Sequence, residues 1–193
     1  MHPEYDDDGA VRAARDGDRD ALAALVARYQ EVAFRAAFLI TRDPAAAEDI
    51  AQEAFLRAYG ALASFRIGEP FRPWLLRIVT NLALNAVRSR GRRQGLLARF
   101  GRLRQDEPAE PALLVEESEE QRLLWRAMRE LSEEDRVVLY LRWFLELPER
   151  EIAAAIGKPP GTVKSRLHRA SGRLRAVIEQ RYPSLRPRGG DSD

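Results

Sequence analysis

Apolar residues recur along the chain every three or four positions, in segments parted by Gly- and Pro-rich breaks, and no stretch alternates as a half-buried strand would. Leu22, Leu25, Val26, Tyr29, Val32, Ala33, Ala36 and Ile40 keep one face for about five turns, and Asp18 or Asp20 can cap the start. Asp43-Pro44 opens a second helix, with Asp as N-cap and Pro at the first helical position. Ala47, Ile50, Ala51, Ala54, Phe55, Ala58 and Leu62 line its inner side. Glu48, Asp49, Gln52 and Glu53 form an acidic, polar patch on the other side, which by itself reads as an ordinary solvated face. Residues 63–73, ASFRIGEPFRP, then interrupt the period. A third helix starts at Pro73. Trp74, Leu75, Ile78, Val79, Leu82, Ala83 and Ala86 face inward, and Arg77, Asn81, Asn85, Arg88 and Arg90 face outward.

After a polar gap the helical period returns. Leu123, Leu124, Ala127 and Leu131 form a stripe, Ser132 can cap a further helix, and Val137, Val138, Leu141 and Phe144 continue inward. The stretch 147–169, LPEREIAAAIGKPPGTVKSRLHR, reads as two short helices around a tight break. Pro148 suits the first helical position, Ile152, Ala155 and Ile156 share a face, and Gly157 follows as a terminator. Pro159-Pro160-Gly161 cannot continue that helix. A second helix starts near Thr162 and runs to about residue 182. Val163, Leu167 and Ala170 make its inner face, and Lys164, Ser165, Arg166, His168 and Arg169 its outer one. This is the plan of a helix-turn-helix, whose outer side chains reach phosphates and base edges. A helical hairpin with a solvated basic face fits the spacing equally. The expected fold is all-α: two small helical domains joined by a flexible linker, the C-terminal one a helix-turn-helix. The expected divisions are a flexible N-terminus over 1–16, a first domain over 17–94, a linker over 95–117, a second domain over 118–182 and a disordered tail over 183–193.

Charge changes this picture more than composition does. The net charge is only +2, yet residues 70–105 hold nine Arg and no acid, while 106–121 hold seven acids and no base. Such segregation suggests a polyanion-binding stretch beside an acidic linker. Arg outnumbers Lys thirty to two, so the placement of Arg, not its abundance, carries weight. The loop 63–73 pairs Phe65 and Phe71 with Arg66 and Arg72, a combination suited to unstacked bases. Both rings could instead anchor the loop to the core, and for Phe65 that reading is preferred. There is no Cys and only two His, which excludes disulfide scaffolds, thiol catalysis and Cys/His zinc sites. No apolar run approaches a membrane span, and the acidic start lacks the apolar core of a signal peptide. The expected location is cytoplasmic.

Three segments in this order carry a resemblance: DPAAAEDIAQEAFLRAY at 43–59, FRPWLLRIVTNLALNAVRSRGRR at 71–93, and LPEREIAAAIGKPPGTVKSRLHRA at 147–170. Over roughly residues 15–180 the chain resembles the extracytoplasmic-function (ECF) sigma factors of bacterial RNA polymerase. The resemblance implies that 17–94 is sigma region 2 and 118–182 is region 4. It implies that Glu48, Asp49, Gln52 and Glu53 dock on the polymerase clamp helices, overturning the solvated-face reading. It implies minus-ten recognition and melting by Ser64, Arg66, Phe71, Arg72, Trp74, Arg77, Asn81, Asn85 and Arg88. It implies minus-35 recognition by Thr162, Lys164, Ser165, Arg166, His168 and Arg169. The implied partners are core RNA polymerase (clamp helices and flap), promoter DNA and an anti-sigma factor, with no cofactor, metal, membrane insertion or homo-oligomer. Family members often carry Gly and then Ser or Thr where this chain has Glu146 and Pro148.

Two other readings predict different behaviour. A stand-alone repressor or activator explains 147–169 but leaves 43–93 unexplained, and it calls for a homodimer, for which the chain shows no heptad. A metal-dependent nuclease would use Glu48, Asp49 and Glu53, but at i, i+1 and i+5 these converge poorly on one ion. No catalytic group is visible, so the expectation is a binding protein and not an enzyme.

Overall fold

The computed structural model describes residues 7–99 and 118–185, the side chains of 96–99 excepted. It contains eight α-helices among the described residues and no strand. Most of the expected linker, the first six residues and residues 186–193 of the expected tail lie outside them.

The N-terminal unit is built on α2 (Arg19–Thr41), α3 (Pro44–Ala61) and α4 (Phe71–Arg99). Asp18 caps α2 by accepting from the amides of Asp20 and Ala21, and Asp43 caps α3 by accepting from Ala46 with Pro44 behind it. The Ala46 amide and the Arg90 guanidinium, 2.7 Å away, hold the Asp43 carboxyl below its ordinary pKa. Leu25, Ala33, Ala37, Ala47, Ala54, Leu75, Leu76, Val79 and Ala83 are buried where these three helices meet. Small Ala side chains on α2 and α3 let the helices approach closely, and the larger residues of α4 fill what remains.

The N-terminus departs from expectation. Residues expected to be loose form a helix, α1 (Asp7–Arg15), that packs on α2. Val11 and Ala14 are fully buried, which supplies the apolar anchor for so short a helix. Asp7 adds a salt bridge to Arg28 and a hydrogen bond from the Tyr29 hydroxyl, and burial together with that carboxylate pushes the Tyr29 phenol far up. Helix α4 also begins two residues earlier than expected, at Phe71, with Pro73 inside its first turn, where no amide partner is needed.

The C-terminal unit holds α5 (Glu119–Arg129), α6 (Glu133–Leu139), α7 (Glu149–Ile156) and α8 (Pro160–Arg181). Ser118 and Gln121 form a capping box on α5, and Ser132 caps α6. Helix α6 runs on into one π turn, Tyr140–Phe144. Glu146 then adopts φ +54°, a left-handed conformation unusual for a side-chain-bearing residue, at the position where family members often have Gly. Pro148 precedes α7 without a side-chain cap, and Gly157 ends α7 at φ +64°. Helix α8 begins at Pro160, two residues before its expected start, with Pro at its first position.

The two units touch. Helix α4 packs along α7, and Arg35 donates to the Phe144 carbonyl at 3.0 Å. The Arg42 guanidinium lies 3.8 Å from the centre of the Trp125 ring.

Candidate functional site

The acidic patch sits on α3 as the period requires. Glu48, Asp49 and Gln52 are exposed, and Glu53 is half-buried in an ion pair with Arg57 at 2.7 Å. Beside Glu48 and Gln52 an open groove of about 690 Å³ runs between α2 and α3 over Val26, Phe34, Phe55 and Leu56. Leu56 is 69% exposed, on a helix that buries Ala47, Ile50, Ala51, Ala54 and Ala58. Periodicity alone does not reveal this groove, although Phe34 and Leu56 both fall outside the inner stripes of their helices. Among the described residues no three His, Cys, Asp or Glu side chains are grouped to hold a metal ion.

The loop between α3 and α4 is more ordered than its composition implies. A 3-10 turn, Leu62–Ser64, leads into it, and Gly68 takes φ +91°. Ser64 and Arg66 are exposed. Phe71 is not: at 2% exposure it lies in the core, 5.4 Å from the Tyr29 ring and 5.8 Å from Phe65. Trp74 joins them, 4.9 Å from Phe65, and keeps one part open. The expectation that Phe71 offers its ring to a base is therefore corrected for this conformation: both phenylalanines anchor the loop. The reason is position. Phe71 is the first residue of α4 and points back over α2, so burying the ring removes far more apolar surface than loop exposure would.

The outer face of α4 carries Arg77, Asn81, Asn85 and Arg88, all exposed. It lies beside the C-terminal unit. Arg88 donates from two nitrogens to Glu133 at 2.9 and 2.6 Å. Arg72 donates to the Leu145 carbonyl at 3.3 Å and stands 3.8 Å from a Glu151 oxygen. Arg77 lies over Gly157, where an added Cβ would stand 3.3 Å from its guanidinium. Ser64, Arg66, Trp74 and Arg77 converge on one cleft of about 630 Å³, whose far wall is Arg150, Glu151 and Ala154 of α7.

On α8, Lys164, Ser165, His168 and Arg169 are exposed along one side and Thr162 is half-buried at its start. Arg166 is a correction. Its side chain, 24% exposed, turns away from the outer face and pairs with Glu134 and Asp135 of α6. Asp135 is itself buried and also pairs with Arg173, two turns further along α8. Buried carboxylates draw cations strongly, and Asp135 supplies the only buried acidic side chain among the described residues. No helix among them is long and apolar enough to cross a membrane.

Comparison with known proteins agrees with this layout. Family models for sigma-70 region 2 and sigma-70 region 4 match residues 25–93 and 121–174. The chain is 32% identical to the ECF RNA polymerase sigma factor SigW of Bacillus subtilis, over 87% of this chain and 94% of that one. It is 34% identical to the RNA polymerase sigma-H factor of Pseudomonas aeruginosa, over 96% and 99%. Among solved structures, CnrH in complex with the cytosolic domain of CnrY matches with a TM-score of 0.66 at 25% identity, covering 90% of this chain and 97% of that one. A loop-and-helix unit with an acidic face, followed by a helix-turn-helix and matched in order by both region models, places the chain in the sigma-70 family, among the ECF sigma factors of RNA polymerase.

Proposed function

We propose that this sigma factor divides its work between three surfaces, and acts by binding alone, without chemistry of its own, in the cytoplasm. The observation that carries this is the arrangement of charge: an acidic face with an apolar groove on α3, and basic faces on α4 and α8. Glu48, Asp49, Gln52 and Glu53 meet the polymerase clamp helices, and the groove ending at Leu56 receives apolar side chains from the same partner. Ser64, Arg66 and the open edge of Trp74 meet unpaired minus-ten bases, with Arg72, Arg77, Asn81, Asn85 and Arg88 along the strands. Phe71 contributes by fixing the loop. Lys164, Ser165, His168 and Arg169 read the minus-35 element in the major groove, with Thr162 at the helix start, and Arg166 braces that helix.

Binding energy is all such a protein has to offer. Cations on α4 and α8 displace counterions from phosphates, and each good base contact adds about 1–3 kcal/mol. Extruding a base costs a few kcal/mol, which stacking and guanidinium contacts offset. In the free chain Arg72 and Arg88 are shared with Glu151 and Glu133, so DNA competes with the chain's own carboxylates. Polymerase holds the units at a set spacing, which raises the effective concentration of each at its element. CnrH, a similar protein, is seen with the cytosolic domain of another protein, and the resemblance to ECF sigma factors supports an anti-sigma factor as a partner here too.

Run-off transcription tests the reading. Core RNA polymerase is given sheared DNA from the source genome, with and without this protein. Discrete transcripts that need the protein are expected. Binding of polymerase without any new transcript, or tight binding of the free protein to a defined duplex, would overturn it.

A further inference from the structure

The loop that leads into α4 is held from outside by α1. Asp8, Val11 and Arg15 lie on one side of that helix at intervals of three and four residues. Val11 enters the core. The residues on either side of it reach the loop. Arg15 donates from Nε to the Leu62 carbonyl at 3.0 Å and from Nη2 to the Phe65 carbonyl at 2.6 Å. Asp8 accepts from the Gly68 amide at 3.1 Å. One guanidinium thus closes the 3-10 turn, and one carboxylate holds the glycine whose φ of +91° bends the chain back toward α4.

These contacts act on the backbone between them. The carbonyls of Leu62 and Phe65 bracket Ser64, and the carbonyl of Phe65 and the amide of Gly68 bracket Arg66. Among the described residues Ser64 and Arg66 make short-range contacts, with the Ala61 carbonyl at 2.8 Å and with Glu69 at 4.0 Å. Without α1 the loop would keep its two phenylalanine anchors but lose the hydrogen bonds that set where its exposed side chains point.

We propose that Arg15 and Asp8 are positioning residues of the minus-ten reading loop, determining how sharply it distinguishes bases. The proposal rests on the reading of that loop given above. A loop already in its binding shape loses less freedom on contact, and a misplaced side chain loses selectivity first.

The test uses the full chain in holoenzyme, on a promoter found by the run-off experiment and a panel of single-base changes across its minus-ten element. Arg15→Gln is expected to flatten the panel, lowering the preference for the parent sequence about tenfold, as loss of two bonds from a charged donor implies. Arg15→Lys, able to keep one of the two bonds, restores part of the preference. Asp8→Asn gives a smaller flattening. Core affinity and the response to minus-35 substitutions stay as they were, which general destabilisation would not allow. Arg66→Ala is the control on the loop itself. A changed panel for Arg66→Ala beside an unchanged one for folded Arg15→Gln and Asp8→Asn overturns the positioning role alone. Unchanged panels for all three overturn the reading of the loop. A panel changed by Arg15→Gln but not by Arg66→Ala also overturns the proposal, since Arg15 would then act on DNA directly. Should Arg15→Gln fail to fold, Asp8→Asn and Arg15→Lys decide by the same criteria.

Discussion

The loop over 62–70 and the helix α8 present exposed polar side chains by different means. Helix α8 is a rigid rod whose exposed polar residues follow from its period, and it is fixed to α6 by Asp135 and Glu134. The loop has no period. Its shape comes from rings buried beneath it and from side chains of α1 beside it. The cations differ as well: Lys164 and Arg169 stand open on α8, whereas Arg72 and Arg88 at the start and middle of α4 already have acidic neighbours. A helix can thus be read by rotating a wheel, while a loop must be read by asking what holds it.

The contrast can be broken most forcefully at Phe71. If the ring anchors the loop, Phe71→Ala lowers stability by about 3–5 kcal/mol, measured by urea unfolding, and impairs every function together. Full stability with loss of minus-ten use alone would return the ring to the DNA. On the helix side, Asp135→Ala leaves Arg166 and Arg173 without their buried partner and is expected to cost about 1–3 kcal/mol, with minus-35 binding weakened and core binding kept. Lys164→Ala leaves the fold intact and reduces the slope of log affinity against log salt by about one in minus-35 binding, as one phosphate contact is lost. The smallest effect is expected at Glu133→Gln. Freed from an exposed ion pair, Arg88 should raise the free chain's affinity for DNA by about two- to fivefold, measured by anisotropy at low salt. A decrease would mean that Glu133 orients Arg88 for DNA and does not compete with it.

The helices of this protein are largely legible in its sequence. Asp18, Asp43, Ser132 and Gly157 mark boundaries through local chemistry, and the fold uses each of them. The acidic face of α3 and most of the outer face of α8 are legible by the same period. Three features are not. Helix α1 is short, and its only apolar residue larger than alanine is Val11. Phe71 stands at a boundary where composition alone does not choose between a base and the core. Arg166 lies on the rim of α8 between its inner and outer faces, and only the position of Asp135 on another helix decides which way it turns. Each of the three has one cause: the deciding partner is distant in sequence, sixty residues away for Asp8 and Gly68.

The π turn at Tyr140–Phe144 has a consequence for chain length. Such a turn accommodates one residue more than a continuation of α6 as an α-helix would. It lies between α6, which carries Asp135, and α7, which opens the helix-turn-helix. Deleting a single residue there can be absorbed as an ordinary helical turn, whereas the same deletion inside α6 or α8 would rotate everything beyond it by about 100°. Length variation among related chains is therefore expected to collect at this point, with Trp143, exposed on the turn, as the residue a shortened chain can spare.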